Sequence, residues 1–370
     1  MKVLLTGNTA FKLANFREGL IRRLIADGHT VTALVPSDDY APMLREMGCE
    51  VIDLEMNRKG ISVLSELPLL LRVFRHLRDI RPDIIFGYTI KNNIYGALSA
   101  RVLGIPFVPN VTGLGTAFEQ PGLLNKTVIA LYKTAFKRVP VVFFQNTHDQ
   151  SLFLKAGIVR ADQTELLPGS GVDLGAFDIR PLMGSDDAPQ FTLIARMLRD
   201  KGIAEFVEAS RMVAKDYPDA TFALLGPLDP DSRIAITEDE LRAYETDSPV
   251  TYLGKRTDVR PEIEAADCIV LPSYYKEGTP RVLLEAAAMG RPIITTDMPG
   301  CRDTVEHGET GLICEPRDSA ALASAMKEIV ALGKAGRKRF GQAARARCRD
   351  RFDEAIVINA YLAVISKKLK

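Results

Sequence analysis

Short apolar runs alternate with segments of helical periodicity through the first half of the chain. The segment 16–27, for example, places Phe16, Leu20 and Leu24 on one face of a helix, and Gly28 follows as a C-terminal cap. Strands that alternate with helices indicate a parallel sheet with helices on both of its faces. The predicted strands are Lys2–Thr6, Thr30–Val35, Glu50–Asp53, Asp83–Gly87, Pro106–Asn110 and Pro140–Phe144.

The same alternation starts again after a polar stretch at 180–189 that has the composition of a linker. Helical patterns at 203–217 and 281–289 separate the new strands, and the chain ends in helical segments without strands between them. We therefore predict an α/β protein with two doubly wound, Rossmann-like domains that face each other across a cleft. The predicted strands of the second domain are Phe191–Ala195, Ala220–Leu225, Val250–Leu253, Cys268–Leu271, Pro292–Thr296 and Gly311–Cys314.

The predicted domain bounds follow from this restart of the pattern. The N-terminal domain is expected at 1–177 and the C-terminal domain at 178–352. The last segment, 353–370, is expected to form a helix that packs back on the N-terminal domain.

Composition and charge narrow the function classes. The 370 residues carry 48 Lys and Arg against 47 Asp and Glu, which argues against a dedicated nucleic-acid-binding protein. The N-terminus has the pattern of a first strand and not of a signal peptide, and no apolar run is long enough for a spanning helix. The five cysteines are scattered, which favours reduced thiols in a cytoplasmic protein over a disulfide framework or a zinc site.

The segment 273–286 carries the most informative candidate chemistry. Glu277 precedes a Gly-Thr-Pro turn, and Glu285 lies in the helix that this turn opens. A helix N-terminus suits a phosphate, and carboxylates on either side of it can accept hydrogen bonds from sugar hydroxyls. This layout matches a sugar nucleotide, in which a diphosphate separates a hexose from a ribose. The alternative is two ordinary surface glutamates, but the apolar residues at 286–290 make an exposed Glu285 the weaker interpretation.

Two cations flank the end of the first strand in the second domain. Arg196 and Lys201 are placed there just before a helix, where they would neutralise a diphosphate leaving group without a metal ion. Ordinary surface charge is the alternative for this motif taken alone. Both cations are expected at the same edge of the sheet as the Glu277 loop, so diphosphate binding is the favoured interpretation.

Other motifs are weaker. Gly7-Asn8 follows the first strand but lacks the full G-x-G-x-x-G of nicotinamide-binding proteins, and no P-loop consensus occurs. The acidic turn 229–231 is the closest match to a metal-binding pair, yet its prolines indicate an exposed turn. We therefore predict neither a metal nor a cofactor. His148 is the histidine best placed for a catalytic role, although a structural role is the simpler interpretation.

Two stretches of the N-terminal domain, 67–81 and 123–138, combine apolar and basic residues. Arg72, Arg75 and Arg78 lie in the first of them. Helices of this kind can lie on an anionic membrane surface, so we expect membrane contact there. The alternative is a core helix with a solvated basic face.

A larger set of short motifs resembles a known family. Together the motifs are similar to those of the family 4 retaining glycosyltransferases of the GT-B fold. The segments 168–173, 15–17 and 91–96 extend the resemblance, the last two towards bacterial N-acetylgalactosaminyltransferases that act on undecaprenyl-diphospho-bacillosamine. The strongest matches are Tyr252–Gly254, Asp258–Arg260, Ala266–Cys268, Leu271–Ser273, Glu277–Pro280, Leu284–Ala286, Gly290–Pro292, Pro299-Gly300 and Gly308–Gly311.

The resemblance implies a role for each matching residue. Glu277, Arg196 and Lys201 would be catalytic, with Glu277 on the donor hexose and both cations on the diphosphate, while Glu285 would bind the ribose. Many family members also carry a histidine in the N-terminal strand-end loops, and this chain has none there. Further donor-binding residues would be Gly7, Asn8, Gly254, Lys255, Arg256, Val259, Gly278, Thr279, Pro280 and Arg281. Acceptor-binding residues would be Asn15, Lys91, Asn92, Thr112 and Gly113.

The resemblance further implies the reaction. A hexose or N-acetylhexosamine, with N-acetylgalactosamine favoured, would pass with retention from a UDP-sugar to an undecaprenyl-diphosphate-linked sugar. Such a reaction would need no metal and would take place at the inner face of the cytoplasmic membrane. Two alternatives stay open: a UDP-sugar 2-epimerase of the same fold, and a non-catalytic subunit that binds the sugar nucleotide.

Overall fold

The computed structural model describes residues 1–56, 63–114, 118, 122–186, 188–230 and 232–368. The chain divides into two compact units, of which the first comprises 1–170 and 355–370 and the second comprises 171–354. The predicted boundary at 177 lies seven residues after the observed one at 170. The residues just after the boundary hydrogen-bond within the second unit, as Val172 does to Phe352 over 2.9 Å.

Seven parallel strands form the sheet of the first unit, in the order β3-β2-β1-β4-β5-β6-β7. Six of them coincide with predicted strands, and the central ones are apolar runs because strands buried on both faces of a parallel sheet must be apolar. The edge strand at 50–53 is only partly buried. The seventh, β7, was not predicted: it lies at the edge, and its Thr-Glu-Leu sequence is largely exposed. The strands are β1 (Lys2–Thr6), β2 (Thr30–Val35), β3 (Glu50–Asp53), β4 (Ile84–Tyr88), β5 (Phe107–Val111), β6 (Val142–Phe144) and β7 (Thr164–Leu166).

Helices cover both faces of this sheet. The helix predicted at 16–27 is present as a helix at 18–26, and a second helix at 10–16, which was not predicted, precedes it and ends just before Arg17. The Thr9 hydroxyl caps this unpredicted helix by accepting a hydrogen bond from the Lys12 amide over 3.2 Å. The helices are α1 (Ala10–Phe16), α2 (Glu18–Ala26), α3 (Ala41–Glu46), α4 (Val63–Ile80), α5 (Ile90–Leu103), α6 (Leu123–Phe136) and α7 (Thr147–Lys155).

The second unit has a six-stranded parallel sheet in the order β10-β9-β8-β11-β12-β13. All six strands coincide with predicted apolar runs, and Phe191, Phe222 and Ile294 belong to the core on one face of the sheet. The strands are β8 (Gln190–Ile194), β9 (Thr221–Leu225), β10 (Val250–Tyr252), β11 (Cys268–Leu271), β12 (Ile293–Thr296) and β13 (Gly311–Cys314).

The helices predicted at 203–217 and 281–289 begin at the predicted residues and end within three residues of the predicted bounds, whereas those at 238–247 and 260–265 were not predicted. In the described part of the chain, no helix combines the length and apolar character that crossing a membrane requires. The helices are α8 (Ile203–Ala214), α9 (Glu238–Asp247), α10 (Arg260–Ala265), α11 (Arg281–Ala288), α12 (Ser319–Ala331), α13 (Gly333–Phe352) and α14 (Glu354–Lys368).

The last helix, α14, belongs to the core of the first unit. Val357, Tyr361 and Ile365 repeat at intervals of four residues and are all buried there. The Tyr361 ring packs against Phe86 at 4.7 Å and Phe143 at 5.0 Å between ring centroids. Aromatic contacts of this kind anchor the end of the chain on strands β4 and β6.

The composition of the polar stretch 180–189 predicted a linker, but the structure holds this stretch against the second unit. The buried guanidinium of Arg291 donates hydrogen bonds to the carbonyls of Arg180, over 2.6 Å, and Pro181, over 3.0 Å. Arg337, also fully buried, donates to carbonyls further along the same stretch. Burial lowers the pKa of Arg291. The stretch is thus part of the second unit, because two buried cations need its carbonyl oxygens.

Replacing Arg291 should destabilise the second unit. In Arg291→Met the side chain keeps much of its volume, but the carbonyls that it serves lose their donors, so we expect a loss of about 3 kcal/mol in the free energy of unfolding. Urea unfolding followed by circular dichroism measures this loss. The exposed Arg349→Met on α13 is the control, and equal stability of both variants would contradict the role given to Arg291.

Candidate functional site

Strands β8 and β11 are neighbours at the centre of the second sheet. The chain continues from β8 to β9 on one side and from β11 to β12 on the other, so the strand order reverses between them. Ligands of doubly wound sheets bind at the carboxyl ends of the strands at such a reversal. Arg196 and Lys201 follow β8, and Glu277 follows β11, so the structure places all three predicted catalytic residues there.

The two strand ends are joined by close backbone contact. Gly202 has φ +77°, and a Cβ atom at this position would collide with the carbonyl oxygen of Pro272. The carbonyl of Asp200 accepts hydrogen bonds from the Tyr274 amide over 2.9 Å and from the Ser273 hydroxyl over 3.1 Å. These contacts hold the segment after β8 against the segment after β11.

Lys201 and Glu277 form an ion pair with each other through Nζ and Oε1. Their side chains are only 12% and 17% exposed, so the pair is largely shielded from water. The Ser273 hydroxyl also donates to Glu277 Oε1 over 3.3 Å, and Lys201 Nζ lies 5.3 Å from the centroid of the Tyr275 ring. The sequence predicted both residues for one site but did not predict that they pair.

The Glu277 loop is held from a second side by Gly300. A Cβ atom at Gly300, which has φ +82°, would collide with the carbonyl oxygens of Glu277 and Gly278. The Thr296 hydroxyl at the end of β12 donates to the Ser273 carbonyl. The sequence singled out Gly300 only through its resemblance to a family motif. Its physical function is to let two backbone segments approach each other.

Glu285 and Arg281 form a second shielded ion pair, with 2.9 Å between Arg281 Nε and Glu285 Oε1. They are four residues apart and therefore neighbours on the first turns of α11. Burial raises the pKa of Glu285, and the charge of Arg281 acts in the opposite direction. Thr279 and Pro280, also predicted to bind the donor, directly precede this helix.

Arg196 differs from the other cations because its side chain is 58% exposed. It pairs with Asp229, which follows β9, over 2.9 Å between Nη1 and Oδ2. Asp229 was considered in the sequence only as a weak metal ligand, and Asp231 of the same turn lies outside the described residues. Asp229 therefore orients Arg196. The two residues can meet because they follow β8 and β9, which are neighbours in the sheet.

The loop predicted to cover the base follows the edge strand β10, at the same end of the sheet. Gly254 has φ +73°, and its carbonyl accepts a hydrogen bond from Gly226 over 2.9 Å. Lys255 is exposed, Arg256 pairs with Glu262 over 3.0 Å, and Val259 is the N-cap residue of α10.

The first sheet reverses its strand order between β1 and β4. Gly7 and Asn8 follow β1, and Asn92 lies in the first turn of α5 beyond β4. The Asn92 amide donates to the Thr6 hydroxyl over 2.8 Å and to the Gly7 carbonyl over 3.1 Å. Both bonds are buried, so Asn92, predicted to bind the acceptor, holds the β1–α1 turn in place.

The other predicted acceptor residues are distributed around this end of the first sheet. Lys91 Nζ lies 2.6 Å from Oε1 of Glu66 on α4. The Asn15 amide donates to the Phe11 carbonyl over 2.9 Å, within α1. Thr112 and Gly113 are half-buried and directly follow β5.

The predicted membrane-contact arginines lie on α4. The half-buried Arg72 pairs with Glu55 over 3.1 Å, and the exposed Arg78 pairs with Asp79 over 2.9 Å. Arg75 is exposed as well. One turn and two turns before Arg75 the same helix face exposes leucines, Leu71 and Leu67. This exposed face of α4 is therefore apolar at one end and basic at the other.

His148 lies half-buried in the first turn of α7, and no observation assigns it a catalytic role. Across the described ranges, no group of three or more His, Cys, Asp or Glu side chains is arranged to hold a metal ion. All five cysteines are buried and unpaired. The absence of a metal requirement stays a prediction.

Comparison with known families agrees with this geometry. A model described as "Glycosyl transferase 4-like domain" matches residues 14–169, and one described as "Glycosyl transferases group 1" matches residues 188–331. The two models together match most of both units. The chain therefore belongs to the glycosyltransferase family that these two models describe.

The names of two relatives of this glycosyltransferase describe transfer of a sugar to a sugar carried on undecaprenyl diphosphate. An N,N'-diacetylbacillosaminyl-diphospho-undecaprenol alpha-1,3-N-acetylgalactosaminyltransferase from Campylobacter jejuni is 27% identical, with 100% of each chain covered. A UDP-Gal:alpha-D-GlcNAc-diphosphoundecaprenol alpha-1,3-galactosyltransferase from Escherichia coli is 26% identical over 73% of this chain and 72% of its own.

A solved structure is similar to the whole glycosyltransferase. HepE from Anabaena, crystallised in complex with UDP, superposes with a TM-score of 0.80 at 20% identity, covering 99% of this chain and 100% of its own. The fold class predicted from the sequence is confirmed: the protein has the two Rossmann-like sheets and the C-terminal helices of the GT-B fold.

The raised pKa of Glu285 predicts how this glycosyltransferase responds to pH. A carboxyl that holds its proton more tightly when folded stabilises the protein below about pH 4.5, and this contribution is lost as pH rises through the folded pKa. Glu285→Gln removes the titration, so the variant should gain stability relative to the parent as pH rises above about 4.5. Urea unfolding of both proteins across this range measures the difference. A difference that stays constant or runs the other way would contradict the prediction.

Proposed function

We propose that this glycosyltransferase moves a hexose or N-acetylhexosamine, with N-acetylgalactosamine favoured, from a UDP-sugar to an undecaprenyl-diphosphate-linked sugar in bacterial glycan assembly. The substrates are those named for the relative that aligns over the whole of both chains. The observation that carries the proposal is the Lys201–Glu277 pair at the strand reversal of the second sheet.

The second unit binds the donor by exchanging ion-pair partners. A diphosphate brings two or more negative charges, so Lys201 can leave Glu277 and bind a phosphate oxygen instead. Glu277 is then available to accept hydrogen bonds from hydroxyls of the hexose. Arg196, which is exposed and oriented by Asp229, binds the diphosphate from the other side of the loop.

The ribose and the base bind further along the same edge of the sheet. Glu285 accepts hydrogen bonds from the ribose hydroxyls, and Arg281 keeps its carboxylate oriented. Backbone amides of Gly278 and Thr279 approach the phosphates at the start of α11. The segment from Gly254 to Val259 covers the base.

The transfer proceeds with retention and without a metal ion. The bond between the anomeric carbon and the donor phosphate oxygen breaks, and the acceptor hydroxyl oxygen bonds to the same face of the sugar. The acceptor proton passes to the departing phosphate oxygen, so UDP leaves and no further base is needed. Arg196 and Lys201 stabilise the negative charge that grows on this leaving group.

The first unit binds the acceptor and contacts the membrane. Asn15, Lys91, Thr112 and Gly113 lie near the carboxyl edge of its sheet, and Asn92 holds the β1–α1 turn beside them. The exposed basic and apolar face of α4 lies on the inner surface of the cytoplasmic membrane, where a polyprenyl-linked substrate is found.

Variants of the Lys201–Glu277 pair test the reaction. Lys201→Met and Glu277→Gln should each lower kcat/KM by roughly a hundredfold or more, because each removes a polar contact with the reacting donor. UDP release and labelled-sugar transfer to an undecaprenyl-diphosphate-linked acceptor are measured together. Arg199→Met, an exposed neighbour of Lys201 that pairs with Glu240, is the matched control and should retain activity.

The same assay separates the alternatives. Epimerisation of the UDP-sugar in the absence of any acceptor would support the 2-epimerase. UDP binding without turnover across a panel of lipid-linked acceptors would support a binding subunit. Parent-like turnover in both Lys201→Met and Glu277→Gln would contradict the assignment of the site.

Removing charge from α4 tests membrane contact. The triple change of Arg72, Arg75 and Arg78 to Gln should weaken binding to vesicles containing anionic lipid by at least about tenfold, since each basic residue near the surface contributes on the order of 1 kcal/mol. Binding of the parent should also weaken as salt is raised. Vesicle sedimentation measures both effects. Gln at Arg339, Arg349 and Arg351 of α13 is the charge-matched control, and equal loss in the two triple variants would contradict the proposal.

A further inference from the structure

Arg17, between α1 and α2, is a buried cation that forms no ion pair with an acidic side chain among the described residues. Its side chain leaves the residue only 5% exposed, and its Nη1 donates to the neighbouring Phe16 carbonyl over 3.0 Å. The guanidinium carbon lies 4.6 Å from the centroid of the Tyr88 ring. Within the described part of the chain, no carboxylate forms an ion pair with Arg17.

Two arrangements are common among the other described arginines of the protein. Those exposed on α2, such as Arg22 and Arg23, pair with acids on the same helix. Those buried in the second unit, such as Arg291, donate to several backbone carbonyls. Arg17 has one carbonyl, the Tyr88 ring face and the neighbouring Tyr88 hydroxyl, although a buried guanidinium with five donors is costly unless they are used.

Arg17 lies at the point of the first sheet where ligands are expected. Tyr88, the ring on which it stacks, is the last residue of β4. The strand order of this sheet reverses between β4 and β1, at the carboxyl ends of the strands. The position is therefore equivalent, within its own unit, to that of Lys201 in the second unit.

Unpartnered polar atoms surround the same point. Asn8 Oδ1 and Asn110 Oδ1 are buried, and in the portion of the chain described here neither has a hydrogen-bond partner, while the buried Tyr88 hydroxyl lies beside Tyr361 and Arg17. Asn8 follows β1, Tyr88 ends β4, and Asn110 pairs with Tyr88 in the sheet register. Native proteins rarely leave such atoms unsatisfied, and a cluster of them beside a buried cation indicates a site for a polar ligand.

The chain holds this cluster in place from α14. The Tyr361 hydroxyl accepts a hydrogen bond from the Asn110 amide over 2.8 Å. Burial, followed by the neighbouring Tyr361, raises the pKa of Tyr88, while Arg17 acts in the opposite direction. Tyr88 therefore remains protonated and can donate a hydrogen bond to an anion beside Arg17.

We propose that Arg17 binds a phosphate group of a substrate, with the Tyr88 hydroxyl as a second donor. A phosphate has the negative charge and the pair of oxygens that the planar guanidinium fork can bind, and it would supply a counter-charge for Arg17. This inference rests on the proposed function, in which both the lipid-linked acceptor and the UDP-sugar donor carry a diphosphate. The place of Arg17 in the first unit favours the diphosphate of the acceptor.

Acceptors with and without a diphosphate test the proposal. The same acceptor sugar is offered on undecaprenyl diphosphate and on a neutral alkyl glycoside, and kcat/KM is measured for each. The ratio of kcat/KM for the diphosphate-linked acceptor to kcat/KM for the neutral glycoside should fall roughly tenfold to a hundredfold in Arg17→Gln. This is the effect of losing a charged hydrogen bond. The ratio is insensitive to the fraction of protein that folds, so a destabilised variant is still informative. Arg17→Lys should recover part of the ratio, and Arg22→Gln on the exposed face of α2 is the control.

Donor measurements in the same variants identify which diphosphate is bound. A raised acceptor KM with unchanged donor KM and UDP affinity would assign the phosphate to the acceptor. Weaker UDP binding and a raised donor KM would assign it to the donor. An acceptor ratio, donor KM and UDP affinity all within twofold of the parent would overturn the proposal while the proposed function stands.

Direct binding keeps the two questions separate. Titration of the full chain with inorganic pyrophosphate, in the presence of saturating UDP, should show binding that Arg17→Gln weakens at least tenfold and Arg22→Gln leaves unchanged. This readout does not require transfer. If the parent binds pyrophosphate in this way but transfers no sugar, the proposed function fails and the anion site remains. Equal pyrophosphate affinity in the parent and Arg17→Gln would overturn the site.

Discussion

The close approach of Gly202 to the carbonyl of Pro272 is the constraint on which the candidate donor site depends. It joins the segments that follow β8 and β11, the two strands between which the sheet reverses its order. Only a residue without a side chain fits there, and it must also adopt a positive φ. Because this contact exists, Lys201 reaches Glu277, although 76 positions of sequence separate them.

Charge balance explains the arrangement of that site. Lys201 and Arg281 are both largely shielded from water, and each has a carboxylate as its partner. A shielded cation held for an anionic substrate needs a temporary counter-charge, and Glu277 and Glu285 provide it while remaining useful for sugar hydroxyls. Among the described residues of the first unit, Arg17 has no carboxylate partner, and this contrast is the reason to assign it an anion of its own.

The strands and the motif residues could be predicted from the sequence, because both are local properties. A strand buried on two faces needs a continuous apolar run, and Cys268–Leu271 or Ile293–Thr296 has one. The edge strand β7 lacks such a run and was missed. Helix α1 was missed because its start depends on a cap at Thr9 and its end on the backbone at Arg17, neither of which periodicity reveals.

The sequence by itself determined the α/β class, the two sheets, and the presence of Arg196, Lys201, Glu277 and Glu285 after strands or in a helix, because apolar runs and turn residues act over a few positions. Only the tertiary structure decided which of these charges pair, that 180–189 belongs to the second unit, and that Arg17 is buried beside Tyr88. Ion pairing and burial depend on distances between segments far apart in the chain. Those distances are set by the order of strands in each sheet.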